Sequence, residues 1–376
     1  MKNLPRAEVI GSLLRPAWLK EARLARQQGQ MAAQEFKRIE DRAVNEAIAQ
    51  QEAAGVDVIT DGELRRTSFL GPLTDSVDGF GFVQEPIEVQ RHWRHSSEHP
   101  APENPARMAV TGKLRRRRSV VAEEFTYLRA RASKPVKATL PSPLMMSLLW
   151  SPKHSSSAYP DPFVLCADAA GILREEISEL AGLGCSYIQI DAPELATLVD
   201  ADTRSKVYEA NGISTSRMLG EGVDLLNAIA DVPGVSFALH MCRGNNAGKW
   251  MAEGGYEAIS KQVFRRAERY DTLLLEYDDW RSGSFESLAD IPSGKRVVLG
   301  LVSTKTDELE PVAGLEARIN EAARYVPREQ LALSTQCGFA SVMTGNPIRE
   351  ETQPAKLKLV ADMAHRFWGE RGVGHA

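Results

Sequence analysis

The chain has 376 residues, 43% of them hydrophobic and 26% charged, with a formal net charge of −4. This is globular composition with enough length for a large core, and it gives no reason to expect nucleic acid or an anionic membrane as partner. Four cysteines, Cys166, Cys185, Cys242 and Cys337, are too few for a disulfide scaffold of this size. Residues 1–6 lack the apolar core of a signal peptide, and no apolar run is long enough to span a bilayer. A soluble cytoplasmic protein with reduced thiols is expected.

The first predicted strand covers 7–10 and ends at Gly11-Ser12. A helix follows to about 26, and a second covers 32–54, with apolar residues at helical spacing and Gly55 as its stop. The second strand, 56–60, runs into Asp61-Gly62-Glu63-Leu64-Arg65-Arg66. Residues 79–134 break the rhythm and read as an insertion, with possible strands at 82–89 and 107–111. Arg115 to Arg118 lie inside it and read as a solvated surface. His92, His95 and His99 sit among polar neighbours and are not assigned to metal. The third strand covers 135–140, followed by an apolar turn ending at Trp150. A helix over 167–183 leads to the fourth strand, Tyr187-Ile188-Gln189-Ile190, with Asp191 at its end. Helices over 213–230, 256–270 and 314–326 precede strands at 235–239, 273–276 and 331–334, with a further strand at 296–301. A last helix covers 354–368.

Eight apolar strands alternating with helices predict a TIM (β/α)8 barrel, a single domain over 1–376 with the insertion between strands two and three. A doubly wound sheet would need a Gly-rich phosphate turn after the first strand, and Ile10-Gly11-Ser12-Leu13 is not one. Ser12, Glu63, Asp191, His240, Cys242, Glu276, Lys305 and Cys337 all fall at or just after strand C-termini, the catalytic face of such a barrel. His240 and Cys242 are two apart, so on an extended backbone both leave the same side. Imidazole nitrogen and thiolate sulfur are donors that Zn²⁺ prefers. With Glu276 and Cys337 they would make one tetrahedral site from three strand ends. The spacing is equally compatible with a buried histidine and two unreactive core thiols.

Taken together, Ile10-Gly11-Ser12, Thr60-Asp61-Gly62-Glu63, Ile188-Gln189-Ile190-Asp191, His240-Met241-Cys242, Leu275-Glu276 and Gln336-Cys337-Gly338 resemble the C-terminal catalytic barrel of cobalamin-independent methionine synthase. The likeness spans almost the whole chain. Cys242-Arg243-Gly244-Asn245 and Gly300-Leu301-Val302-Ser303-Thr304-Lys305 are closest to short, single-barrel relatives.

The resemblance implies a zinc-dependent methyltransferase that moves a methyl group to homocysteine, giving methionine, from a methyltetrahydrofolate or a methyl-corrinoid. By it, His240, Cys242, Glu276 and Cys337 are zinc ligands, and the acceptor thiol displaces or loosens Glu276. Ser12, Glu63 and Asp191 are expected to hold the amino acid part of homocysteine. Trp150 falls near a tryptophan that packs on the pterin, although it reads equally well as a core aromatic. The full-length enzymes have a proton-donating histidine after the seventh strand, where this chain has Lys305. Ala192 replaces a usual Glu after the strand-four Asp. A related barrel, epoxyalkane:coenzyme M transferase, is the alternative enzyme reading, and a structural-zinc scaffold is a weaker one.

Overall fold

The computed structural model describes residues 5–90, 92–94 and 106–369; His95 and His99 lie outside the described residues. Its strands are β1 (Ala7–Glu8), β2 (Val77–Phe82), β3 (Met108–Arg116), β4 (Ala138–Pro141), β5 (Tyr187–Asp191), β6 (Ser236–Met241), β7 (Thr272–Glu276), β8 (Arg296–Val302) and β9 (Leu331–Thr335). Seven of them form one curled sheet, in the order β1-β9-β8-β7-β6-β5-β4, with every pairing parallel. Residues 56–60 fill the eighth place between β1 and β4. They differ from the regular strand expected there. Only single bridges form, Val58 to Glu8 on one side and Ile59 to Val136 on the other. The Asp57 side chain accounts for part of this, because it accepts the Ala7 N–H (3.1 Å) that a continued ladder would use. Three backbone bonds still close the ring, Asp57 N–H to Ala7 O (2.9 Å), Ile59 N–H to Pro135 O (2.9 Å) and Lys137 N–H to Ile59 O (3.1 Å).

Side chains alternate along each strand, and burial follows that alternation. Phe237, Leu239 and Met241 of β6, with Leu273 and Leu275 of β7, join the main apolar cluster between strands and helices. Ala238 and Leu274 instead join Ile10, Val298 and Ala332 in a small cluster of their own. This second set fills the barrel interior. His240 and Glu276 continue the same inward phase to the C-terminal ends of their strands. Below that layer, Glu8 is paired with Lys137 (2.9 Å) and Arg296, and Tyr187 Oη reaches it as well (3.1 Å). These buried charges are tolerated because each has an opposite partner.

The helix Ala33–Ala54 ends at Gly55, whose φ of 91° is the left-handed cap conformation. The helix Pro162–Gly182 starts earlier than expected, because Asp161 caps it through the Phe163 N–H and proline is favoured at the first turn. The segment 213–230 is not one helix. It passes through a π turn, Met218–Gly222, that contains Gly220 and Gly222. The segment 256–270 shortens to a 3-10 turn and the helix Ser260–Val263. Among the described residues, no helix is long and apolar enough to cross a membrane.

Between residues 56–60 and β4, the chain forms the antiparallel hairpin β2–β3, earlier on its first strand and longer on its second than expected. The arginine run is not simply solvated. Arg116 pairs with Glu176 (2.5 Å) and Glu179, and Arg117 with Asp78 (2.9 Å).

Candidate metal centre and substrate pocket

A pocket opens where the inward side chains reach the C-terminal ends of the strands. It is lined by residues of both the barrel and the insertion, among them Ser12, Glu63, Asp191, His240, Cys242 and Cys337. Ser12 is placed by two glycines. Gly11 has φ of 65°, and a Cβ added to Gly338 would sit 2.5 Å from Ser12 N. The turns after β1 and β9 can therefore touch only with glycine at that contact.

Glu63 is itself in the left-handed region (φ 55°), a conformation that costs a non-glycine residue about 1–3 kcal/mol. Asp61 holds it there by accepting its N–H (3.0 Å). The Glu63 carboxylate accepts the Ser12 hydroxyl and the Thr139 hydroxyl (2.7 Å), and pairs with Arg66 (3.2 Å). Burial would raise its pKa, but Arg66 and the two hydroxyls outweigh burial and hold it below the usual value. Asp191, the last residue of β5, accepts Gln189 Nε2 (2.7 Å). Burial pushes its carboxyl up to about 6, with His240 opposing that and Glu63 adding to it. Two carboxyls of different character thus line one cavity.

On the other wall, single ligand atoms of His240, Cys242 and Cys337 all lie within 4.8 Å of one another. The two sulfurs are 3.7 Å apart. The hydrogen bond with Cys242 pulls the Cys337 thiol well below its ordinary pKa against the effect of burial, and the same contact raises Cys242. His240 Nδ1 faces Leu274 O at 3.3 Å. A carbonyl can only accept, so Nδ1 carries a proton, and in the neutral ring Nε2 is the nitrogen left to bind a cation. That Nε2 is buried and has no hydrogen-bond partner among the described residues. An orphaned imidazole nitrogen beside two thiols fits a soft divalent cation with one position left for a further ligand. Cys166 and Cys185 are buried elsewhere, with their sulfurs against Leu144 O and Tyr187 O.

Glu276, the fourth ligand implied by the resemblance, is engaged by other partners in this arrangement. It is not part of the three-residue cluster. Its Oε2 accepts the Arg243 N–H (2.5 Å), and its Oε1 faces Lys305 Nζ (3.3 Å) and Arg281 (3.6 Å). Burial would raise its pKa, but Lys305, Arg243 and Arg281 hold it down to about 2. Three cationic or N–H partners thus hold the carboxylate away from the sulfurs.

Lys305 lies just beyond the end of β8. It does not line the pocket. Its Nζ lies between Glu276 and Asp278 (3.2 Å). Burial works against its charge, but Asp278 and Glu276 outweigh that and keep its pKa above the usual lysine value.

Trp150 is likewise absent from the lining. It is buried, and its Nε1 donates to Tyr159 O (2.9 Å), as a core aromatic would. The pocket tryptophan is Trp93 of the insertion. Arg94 and Trp250 exchange backbone hydrogen bonds (2.7 and 3.1 Å), which ties the insertion to the loop after β6. The absence of a side chain at Gly244 makes room for the Trp93 ring, since a Cβ there would come within 3.0 Å of it. No local sequence signal marked Trp93. Asp278 could have been found, standing two residues beyond Glu276. Glu194 and Asn245 also line the cavity with buried oxygens that make no well-formed hydrogen bond among the described residues.

Residues 4–365 match the family model described as cobalamin-independent synthase, catalytic domain. The chain belongs to this family and is thus an enzyme of the methyltransferase class. YxjH of Bacillus subtilis is 34% identical over 96% of this chain and 94% of its own length. A protein of Pyrococcus abyssi named methionine synthase is 25% identical, over 88% and 85%. Among solved structures, a B12-independent methionine synthase from Shewanella superposes with a TM-score of 0.75, at 22% identity, covering 97% of this chain and 98% of that one. At that identity the superposition establishes the fold, a TIM barrel.

Proposed function

We propose that the chain transfers a methyl group to the thiol of homocysteine, giving methionine, with zinc bound by His240, Cys242 and Cys337. The observation that carries this reading is the buried His240 Nε2, without a hydrogen-bond partner among the described residues, beside two sulfurs 3.7 Å apart, in the same pocket as Glu63 and Asp191. Zinc on these donors would deprotonate a bound thiol and keep the thiolate nucleophilic at neutral pH. The protein does the rest. Lys305 and the Arg243 N–H hold Glu276 aside, which leaves a place for the substrate thiol. Glu63 and Asp191 take the substrate ammonium, and the turn at Ser12 takes its carboxylate. Trp93, Phe69, Met145, Leu148 and Met251 give the cavity apolar walls. Such walls suit a flat pterin, so the proposed donor is a 5-methyltetrahydrofolate rather than a methyl-corrinoid.

Transfer to coenzyme M is supported less well. A sulfonate needs a cation, and the described lining contains no lysine or arginine. The insertion arginines Arg116 and Arg117 are paired with carboxylates. The test is product analysis with homocysteine and with coenzyme M, each against methyltetrahydrofolate, methylcobalamin and an epoxide. Methionine formed from methyltetrahydrofolate supports the reading. Saturable use of coenzyme M with the epoxide overturns it.

A further inference from the structure

The transfer leaves one chemical requirement that the roles assigned so far do not meet. When sulfur attacks the methyl carbon, an S–C bond forms and the N–CH₃ bond breaks. The bonding pair stays on the donor nitrogen, a poor leaving group unless it gains a proton. Lys305 is committed to Glu276 and Asp278 outside the pocket lining. Glu63 is engaged by Arg66 and two hydroxyls.

Glu194 remains. It is the second residue of the short helix Pro193–Thr197, three residues beyond Asp191. Its backbone carbonyl is pinned by the Thr197 hydroxyl (2.9 Å) and Tyr208 Oη (3.3 Å). Its side chain lines the pocket and is 1% exposed, and among the described residues neither oxygen makes a well-formed hydrogen bond, the Ser142 hydroxyl being the polar group that approaches it. A buried carboxyl so poorly partnered is expensive and uncommon in a native fold.

We propose that Glu194 is a catalytic residue, the general acid that protonates the donor nitrogen as the methyl group leaves. This inference rests on the methyl-transfer reading above. The proton passes from the Glu194 carboxyl to the nitrogen and leaves a carboxylate, which solvent reprotonates after product release. The homocysteine thiol has already lost its own proton on binding, so the step balances.

The surroundings keep Glu194 in the acid form. Burial pushes its carboxyl up to about 8, Asp191 adds to that, and the Ser142 hydroxyl opposes it. From the helix Pro162–Gly182 it is faced by the Cys166 thiol, and from the chain before β7 by Tyr270. All are neutral or anionic at neutral pH, and none favours the carboxylate as a cation would.

The experiment is Glu194→Gln in the metal-loaded enzyme, with methyltetrahydrofolate and homocysteine. A general acid contributes about 10²–10⁴-fold. We expect kcat to fall at least about 100-fold, with the KM for the donor and the metal content close to wild type. The wild-type profile should lose activity as pH rises past the Glu194 pKa, and that limb should be absent from the variant. Infrared spectra of the wild type should show a protonated carboxyl band at neutral pH that disappears on the alkaline side. The band should be missing in Glu194→Gln and displaced in Glu194→Asp, which gives a readout if the amide variant folds poorly. A raised donor KM with unchanged kcat makes Glu194 a binding residue and overturns the proposal, as does the absence of the band. Wild-type protein that makes no methionine from any donor removes the methyl-transfer reading itself, a different result from an active wild type with an equally active variant.

Discussion

Lys305 Nζ lies 3.3 Å from Glu276 Oε1, with both side chains at most 8% exposed. Lysine after the eighth-numbered strand, β8, thus meets the acid that ends β7, and the pair is completed by Asp278 at 3.2 Å. The contact keeps Lys305 out of the pocket lining. On the reading proposed above, Lys305 acts on the methyl transfer through Glu276, as a positioning residue.

Lys305→Met should strand two buried carboxylates. Loss of one partner of a buried pair costs about 3–5 kcal/mol, so thermal or denaturant unfolding should show a clear loss of stability. Turnover should fall by a similar factor at every pH, and the shape of the pH–rate profile should survive. A basic limb that vanishes in this variant would make Lys305 the proton donor instead. The same limb is expected to vanish in Glu194→Gln, so the two variants together assign it.

Metal content should separate the four cysteines. Cys242→Ser and Cys337→Ser should each lose most of the zinc, and His240→Ala likewise. Cys185→Ser should retain it, and so should Cys166→Ser, since Cys166 is packed against Leu144 O with its thiol kept protonated by burial. Elemental analysis of the purified variants decides this. Full zinc in Cys242→Ser with none in Cys185→Ser contradicts the assignment.

Much of this site was readable from the strand ends. An inward residue that closes an apolar strand is placed by the two-residue period alone, and His240, Glu276 and Asp191 follow it. What could not be read depends on contacts far apart in sequence. Glu194 looks like a solvated helix residue until its surroundings close over it. Trp93 enters the pocket on a segment that Arg94 ties to Trp250. Lys305 was visible as a polar residue after a strand, but its direction is set by Asp278 and Glu276. The second barrel strand resisted for a similar reason, because the Asp57 side chain takes a ladder donor.

Asp191→Asn should weaken homocysteine binding while leaving zinc in place. Truncating one partner of a buried charged hydrogen bond costs about 2–5 kcal/mol, at least a tenfold rise in Kd. Glu63→Gln should do the same and also lower stability, because Arg66 then loses one carboxylate partner. Calorimetric titration of homocysteine into both variants measures the effect. Unchanged affinity in both would move the ammonium site elsewhere.

The two tryptophans should behave differently. Trp93→Ala removes an aromatic wall and should raise the KM for the methyl donor, with homocysteine affinity little changed. Trp150→Phe gives up the bond to Tyr159 O and should cost about 1 kcal/mol of stability, with little effect on either KM. Steady-state kinetics on the pair check both outcomes, and a donor KM that responds to Trp150 rather than Trp93 reverses the assignment.

The central claim is that the cluster of His240, Cys242 and Cys337 holds a zinc ion that receives the substrate thiol. Zinc K-edge X-ray absorption, recorded with and without homocysteine, tests it most directly. The account predicts two sulfur neighbours per zinc in the free enzyme and three with homocysteine bound. A sulfur shell that homocysteine leaves unchanged, at two or at any other number, would contradict it.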